Sequence, residues 1–273
     1  MPTELFNLQR SFSPHLDLVD LGSRNGSFVN GRRVSFPMVL NDLDRVVFGD
    51  QDLVFRNPAR SESVLTDAGA DLRNEPTTSI HTNSLTTIMV VDIRDFTPLA
   101  RSLPEALLSQ TIGTWFLRSG QIVQRLGSWA QKYIGDAVMA VWVHDQPEHL
   151  GADLMRVLRA VTEISAATAE ISRTLELPVP LRIGAGVNTG LAILGGTDYT
   201  VLGDTVNAAF RLESATKSIG LGVAIGVPSY LGLGATARMG FVRKEVELKG
   251  YEGSSIAWAI SFEDLKDNLR RAG

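Results

Sequence analysis

The sequence contains no cysteine, which excludes disulfide bonds, thiol catalysis and zinc sites built from thiolates. It also lacks the basic surplus of proteins that bind nucleic acids or anionic membranes, because its formal net charge is −4. No apolar run approaches the roughly 18 residues of a membrane span, and the first residues contain no apolar segment of signal-peptide length. We therefore expect a cytoplasmic protein with no membrane span and no nucleic-acid partner.

Histidine is also scarce, and the spacing of His15, His81, His144 and His149 fits no metal-binding motif. We interpret these four histidines as surface or loop residues. Apolar residues, in contrast, make up 44% of the 273 residues, which is enough for a packed core. The length favours two domains, one large and one small.

The pattern along the chain predicts four regions. Residues 1–57 contain short strand-like segments broken by turn signals, which is typical of a small all-β unit. Residues 58–84 are rich in Ser, Thr, Asn, Asp and Pro without a sustained period, which favours a linker. Residues 85–264 alternate strands and helices in the order β-α-β-β-α-β, with LRIGAGVNTG and LAILGG as one strand pair, and predict a ferredoxin-like α+β domain. Residues 265–273 would form a C-terminal tail.

Two aspartates are candidate metal ligands. Asp92 ends the apolar run TTIMVVDI just before a helix-like segment, and Asp136 lies in a turn between two predicted strands. Hard carboxylate oxygens on neighbouring strands can hold a pair of Mg²⁺ or Mn²⁺ ions. Taken singly, Asp92 can equally be a helix cap and Asp136 a simple turn residue, because one short motif is weak evidence.

A predicted helix carries two further candidates, Asn207 and Arg211. They are four residues apart, so both side chains lie on one helical face. The fixed donors and permanent charge of arginine suit a phosphate oxygen. The simpler interpretation of the pair is a solvated helix face.

Four segments together resemble the catalytic domain of class III nucleotidyl cyclases, in the order and at the intervals of that family: VVDIRDFT, KYIGDAVMAV, YTVLGDTVNAAFRLE and VELKG. The resemblance implies that Asp92 and Asp136 hold two metal ions per site, with the Ile93 carbonyl as a further ligand. It implies ATP as the substrate, 3′,5′-cyclic AMP and pyrophosphate as products, and a role in signal transduction. It also implies a homodimer, with each site assembled from both chains.

The resemblance assigns the nucleotide contacts as follows: Lys132 and Thr200 would read adenine, Asn207 would orient the ribose, Arg211 would stabilise the transition-state phosphate, Lys249 would contact the polyphosphate, and Phe96 and Thr97 would belong to the substrate site. A lysine donor with a hydroxyl acceptor suits adenine, whereas guanylate cyclases of the family usually have Glu and Cys or a small residue. The pair of Lys132 and Thr200 also resembles the bacterial subgroup that includes bicarbonate-responsive cyclases, which implies activation by bicarbonate. The simpler interpretation of both lysines is a strand lysine with its stem on apolar surface.

The N-terminal segments LDLVDLGSRNGSFVNGRRV and VLNDLDRVVFGD resemble the second half of a forkhead-associated (FHA) domain. Asn25 is present, but the early Gly-Arg of that family is missing and Ser13-Pro14-His15 has the wrong spacing for its Ser-x-x-His. We interpret the unit as a truncated module that docks a protein partner or regulates the enzyme, rather than an active phosphopeptide reader. Two other functions remain as alternatives. One is a guanylate cyclase, and the other is a phosphothreonine-dependent scaffold with a vestigial cyclase domain, for which losses at Asp92, Asp136 or Arg211 would be expected.

Overall fold

The computed structural model describes residues 6–10, 16–20, 27–34, 38–48, 51–56, 82–144, 146–195, 200–247 and 254–272. Within these residues the chain forms two β-rich units, and the larger one carries all six α-helices. No helix in the described ranges is both long and apolar enough to cross a membrane.

The N-terminal unit is built from short antiparallel strands. They are β1 (Phe6–Arg10), β2 (Leu16–Asp20), β3 (Ser27–Val29), β4 (Arg32–Arg33), β5 (Met38–Leu40), β6 (Arg45–Phe48) and β7 (Gln51–Val54). Two sheets result, with strand orders β1-β2-β5 and β4-β3-β6-β7. Their small shared core contains Leu18, Val29, Leu40 and Val46, all buried. The predicted all-β unit is confirmed.

The larger unit has an eight-stranded mixed sheet with the order β14-β15-β13-β11-β8-β10-β9, and β12 pairs with β11. Its elements are β8 (Thr82–Ile93), α1 (Phe96–Ser102), α2 (Glu105–Arg125), β9 (Ala130–Ile134), β10 (Ala137–Val143), a 3₁₀ turn (Pro147–His149), α3 (Leu150–Thr174), β11 (Ile183–Gly195), β12 (Thr200–Leu202), α4 (Asp204–Ile219), β13 (Val223–Gly226), α5 (Val227–Gly232), β14 (Val242–Glu247), β15 (Ser254–Ile260) and α6 (Phe262–Ala272). The predicted α+β class is confirmed.

Strand β8 lies in the interior of this sheet, and both of its faces are covered. Met89 and Val91 pack into the core formed with α2 and α3, whereas Ile88 and Val90 face the side covered by α4. A strand covered on both faces explains why its sequence is a nearly continuous apolar run. The end of β8, at Asp92, therefore follows a strand that is buried on both faces.

The structure corrects the predicted strand pair of LRIGAGVNTG and LAILGG. Residues 183–195 form one strand, β11, which pairs with β8 along nearly its whole length. Gly190, at the junction of the two predicted strands, serves close packing, since a Cβ atom there would lie 2.6 Å from Thr205 Oγ1 on α4. Tertiary packing therefore explains this glycine better than a turn does.

Both ends of the larger unit extend beyond their predicted limits. Strand β8 begins at Thr82, inside the segment interpreted as a linker. At the other end, the predicted C-terminal tail belongs to α6, which buries Leu265 and Leu269 in the main core. The apolar spacing of this short helix was the available signal.

The histidines were predicted to lie on the surface or in loops, and His144 lies in the loop that follows β10 but not on the surface. This side chain is buried; its Nε2 is 2.7 Å from Thr87 Oγ1 and its Nδ1 is 2.7 Å from Asp153 Oδ2. A histidine with both ring nitrogens in hydrogen bonds can be buried at little cost. His149 is exposed, while His15 and His81 lie outside the described residues.

Candidate functional site

Sheet register brings the two candidate metal ligands together. In the antiparallel pair of β8 and β10, Asp92 lies opposite Ala137, the residue that follows Asp136. The turn between β9 and β10 contains Gly135 with a φ of 62°, a left-handed conformation that glycine adopts without strain. The backbone N–H of Ile93 donates to the Asp136 carbonyl at 3.4 Å. Asp136 therefore lies at the end of β8, as its position in a turn predicted.

A cleft of about 420 Å³ opens at this end of the sheet. The residues that line it come from β8, the following turn, α1, the β9–β10 turn and α4: Asp92, Ile93, Arg94, Asp95, Phe96, Thr97, Pro98, Asp136, Glu213, Ser214 and Lys217. Five of the predicted site residues, Asp92, Ile93, Phe96, Thr97 and Asp136, therefore lie around one cleft.

Asp92 has a raised pKa and an unpartnered oxygen, as expected of a carboxylate that binds a cation. Burial, followed by the charge of Asp136 and a hydrogen bond between the two carboxyl groups, raises the Asp92 pKa to about 6. Its Oδ1 atom is buried and has no hydrogen-bond partner. An unpartnered buried carboxylate oxygen is costly, and a divalent cation between the two aspartates would remove that cost.

Glu213 is a third acidic group of the cleft, and the sequence analysis missed it. It lies on the sheet-facing side of α4 and is only 8% exposed. Burial first, and then the charge of Asp92, raises its pKa to about 7. The sequence could have indicated this site, because a carboxylate occurs among the residues of α4 that face the sheet, beside Leu212 and Thr216.

Three cations surround the acidic groups. Asp95 accepts hydrogen bonds from Arg182 at 2.6 Å and from Lys217 at 2.9 Å. Arg94 donates to Thr216 Oγ1 at 2.8 Å and to a backbone carbonyl, and its buried Nε has no partner. The sequence analysis singled out none of these cations, since the elements that carry them meet only in the folded chain.

Three of the predicted nucleotide contacts, Lys132, Asn207 and Arg211, lie elsewhere. Lys132 is half-buried in β9, opposite Met139, and Asn207 is exposed near the start of α4. Arg211 is half-buried one turn after Asn207. None of these three lines the cleft of its own chain. The Thr200 side chain and the whole of Lys249 lie outside the described residues.

The described residues could supply part of the coordination of a divalent metal ion, with the substrate supplying further ligands. No group of three or more Asp, Glu, His or Cys side chains in the described ranges could hold a metal ion unaided. Two close carboxylates and a neighbouring carbonyl leave coordination positions for water and phosphate oxygens. Mg²⁺ is usually bound in this way, by one or two carboxylates plus substrate phosphates.

Comparison with known proteins identifies two segments. The family model described as "Adenylate and Guanylate cyclase catalytic domain" matches residues 79–261, and the model described as "FHA domain" matches residues 6–49. An adenylate cyclase of Anabaena cylindrica is 25% identical over 188 residues, which cover 66% of this chain and 36% of the relative. Adenylate cyclase 1 of Rhizobium meliloti (strain 1021) is 30% identical over 144 residues, 50% of this chain and 22% of the relative. The chain therefore spans only a minor part of these relatives.

Solved structures share the fold of the larger unit. The guanylyl cyclase Cya2 is 22% identical with a TM-score of 0.58, covering 66% of this chain and 93% of that chain. The adenylyl cyclase CyaB from P. aeruginosa is 23% identical with a TM-score of 0.52, covering 66% of this chain and 95% of that chain. At such identities the likeness concerns the fold, and it includes proteins named for either nucleotide.

Proposed function

The chain belongs to the adenylate and guanylate cyclase catalytic domain family, and from this premise we propose that it is an adenylate cyclase. The reaction would convert ATP into 3′,5′-cyclic AMP and pyrophosphate. The 3′-oxygen attacks the α-phosphorus, the bond from that phosphorus to the oxygen bridging to the β-phosphate breaks, and pyrophosphate leaves. The 3′-hydroxyl loses its proton in the process.

The observation that carries this proposal is the Asp92–Asp136 pair in a cleft that is also lined by cationic side chains. Two facing carboxyl groups, one with a raised pKa and an unpartnered oxygen, are unfavourable without a positive charge between them. Bound Mg²⁺ or Mn²⁺ ions, two per site, would supply Lewis acidity toward the 3′-hydroxyl and the phosphates. Lys217 lines the same cleft and Arg182 pairs with its lining residue Asp95, so both can provide positive charge for a polyphosphate.

The remaining roles come from the family resemblance. Asn207 would orient the ribose, and the Arg211 guanidinium would stabilise the charge that develops on the transferred phosphoryl group. Lys249 would contact the polyphosphate. Of these three residues, Asn207 and Arg211 are described in full, whereas Lys249 lies outside the described residues.

The positions of these residues support a site shared between two chains. Asn207, Arg211 and Lys132 do not line the metal cleft of their own chain, yet the reaction needs them at the same nucleotide. We therefore propose a head-to-tail homodimer in which each of two sites takes its metal ligands from one chain. Its ribose and transition-state residues would come from the other chain.

Adenine is the proposed base because Lys132 offers a donor to N1 and Thr200 an acceptor to the N6 amine. A guanine base presents the opposite pattern, with an acceptor O6 and a donor N1. Guanylate cyclase activity is the second candidate, since the structural likeness includes a guanylyl cyclase. Activation by bicarbonate and a cytoplasmic location stay predictions from the sequence.

We propose that the N-terminal FHA unit docks a protein partner or regulates the cyclase. The family match covers residues 6–49, and FHA domains suggest a phosphopeptide partner. Asn25 and the segment Ser13-Pro14-His15, on which phosphothreonine binding would depend, lie outside the described residues.

The test is cyclic nucleotide formation by the purified full chain with Mn²⁺ and either ATP or GTP. We expect cyclic AMP from ATP and at most about a tenth of that rate from GTP. A preference for GTP would replace the adenylate assignment with the guanylate one. No product from either nucleotide would contradict both and favour the vestigial scaffold.

A further inference from the structure

Asp95 lies at the edge of the cleft in an unusual conformation. It follows β8, precedes the first residue of α1, and has a left-handed backbone with φ 54° and ψ 36°. An aspartate in this position normally accepts a hydrogen bond from the first turn of its own helix. The Asp95 side chain makes no such bond.

The Asp95 carboxylate is engaged by two cations from distant parts of the chain. Arg182, just before β11, donates to Oδ2 at 2.6 Å, and Lys217 on α4 donates to Oδ1 at 2.9 Å. The Arg182 backbone is fixed here, because its carbonyl accepts the Arg94 N–H at 2.8 Å. The hydrogen bond and charge of Lys217 are the main reasons why the pKa of Asp95 is lowered. Each carboxylate oxygen of Asp95 therefore accepts a hydrogen bond from a positively charged side chain.

We propose that Asp95 is a resident anion, which holds Lys217 and Arg182 in the empty cleft and is displaced from them by the substrate's β- and γ-phosphates. The proposal rests on the proposed function and adds a determinant of substrate and product affinity. Asp95 and Lys217 line the same cleft as the two candidate metal ligands. A polyphosphate bound there would meet Lys217, and Arg182 lies within hydrogen-bond distance of the same Asp95 carboxylate.

The exposure of the three side chains favours exchange over a permanent bridge. Asp95, Arg182 and Lys217 are 39%, 67% and 72% exposed, and ion pairs this exposed contribute little to stability. A polyphosphate carries several charges and can therefore replace one carboxylate. After displacement, the Asp95 charge remains close to the phosphates and repels them. Asp95 should therefore weaken binding of ATP and also ease release of pyrophosphate.

Asp95→Asn tests this inference because asparagine tolerates the left-handed conformation and differs from aspartate mainly in charge. We expect the KM for ATP to fall about 3- to 10-fold at low ionic strength, with a smaller change in kcat. Inhibition by pyrophosphate should strengthen by a similar factor, and both effects should shrink at high salt. Asp95→Gly, which also fits this backbone, is the second variant.

Glu170→Gln is the matched control, since Glu170 forms an exposed pair with Arg118 at 2.7 Å on the α2–α3 surface, away from the cleft. It should leave KM and pyrophosphate inhibition unchanged. An unchanged or higher KM in both Asp95 variants would overturn the inference, because it would mean that Asp95 positions the cations rather than competing for them.

Calorimetry with inorganic tripolyphosphate separates this inference from the proposed function, since it needs neither adenine nor turnover. The Asp95→Asn chain should bind tripolyphosphate about 3- to 10-fold more tightly than the wild type. Adding Lys217→Met should remove most of that gain. Equal binding by wild type and Asp95→Asn, with cyclic AMP still formed, would overturn the inference alone. Tighter binding without cyclic nucleotide formation would support the anion exchange and contradict the cyclase assignment.

Discussion

The metal cleft and the surface that carries the predicted nucleotide contacts are built in different ways within one chain. In the cleft, Asp92, Asp136 and Glu213 converge from two strand ends and a helix, and the two pKa values that are raised reflect their burial and closeness. On the other surface, Asn207 is exposed and Lys132 lies on a separate strand. In the proposed function, the cleft would bind metal within one chain, whereas the predicted nucleotide contacts would need a second set of groups facing them.

Helix α4 joins these two regions. Its inner side carries Glu213 into the metal cleft, and its Asn207 and Arg211 lie outside that cleft. In the proposed dimer, one helix therefore serves two sites at once. The variants below separate the inner side from the outer side, beginning with the largest expected effect.

Loss of a metal-binding carboxylate should have the largest effect. Asp92→Ala or Asp136→Ala should lower turnover about 100-fold or more, because each removes charge that would balance the metals and the triphosphate. The fold should persist, since Asp92 is held at the cost of burying charge. Turnover assays and thermal melts check this prediction, with the surface variant Asp267→Asn on α6 as control. More than about a tenth of wild-type activity in both alanine variants would contradict the two-metal assignment.

A variant that displaces the whole of α4 should have the second-largest effect. A Cβ atom at Gly186 would lie 2.2 Å from the Ala209 carbonyl oxygen and 2.3 Å from the Glu213 nitrogen, both backbone atoms of α4. Gly186→Ala should therefore displace the helix, destabilise the fold by about 1–3 kcal/mol and reduce turnover. Urea unfolding and activity assays measure both effects. Gly234→Ala, where a Cβ meets nothing within 4 Å, is the control, and equal stability of the two variants would refute the packing argument.

Glu213, on the inner side of α4, should make the stability of the fold depend on pH. Its pKa of about 7 in the folded chain is raised from 4.5, so the folded state binds the proton more tightly and stability falls as pH rises from about 4.5 to 7. Glu213→Gln should remove this loss in metal-free protein. The difference in unfolding free energy between Glu213→Gln and the wild type should therefore shift in favour of the variant by about 2 kcal/mol between pH 5 and pH 8, after allowance for solvent in the cleft. Parallel pH dependence of both proteins in urea unfolding would count against a buried, protonated Glu213.

Variants that change the choice of base should have the smallest effect on the free energy of catalysis. Exchanging donor and acceptor in the double variant Lys132→Glu with Thr200→Cys should lower the ATP to GTP ratio of kcat/KM by about tenfold, or about 1.4 kcal/mol. Competition assays with both nucleotides measure this ratio. An unchanged ratio would show that other groups read the base.

Short-range signals explain which parts of the site the sequence could predict. Asp92 ends an apolar run and Asp136 lies in a Gly-Asp turn, so both were placed at strand ends before their register was known. The four-residue spacing of Asn207 and Arg211 sufficed to place them on one helix, α4. These predictions depend only on the periods of strands and helices.

The residues that were missed depend on contacts between distant segments. Lys217 and Asp95 are 122 positions apart in the chain, and no local pattern links them. Glu213 becomes a cleft residue only because Gly184 and Gly186 let α4 approach β11 closely. The burial of His144 was not predicted for a similar reason, since it depends on hydrogen bonds to β8 and α3.

Mixing two inactive chains tests the shared site most directly. Asp92→Ala and Arg211→Ala should each be inactive alone, yet a mixed dimer would contain one site with both defects and one with neither. With subunit exchange shown by differently tagged chains, cyclic AMP formation should recover to as much as about half the wild-type rate per mixed dimer, and should fall on dilution as dimers dissociate. A mixture that stays inactive despite proven exchange would contradict the shared-site account.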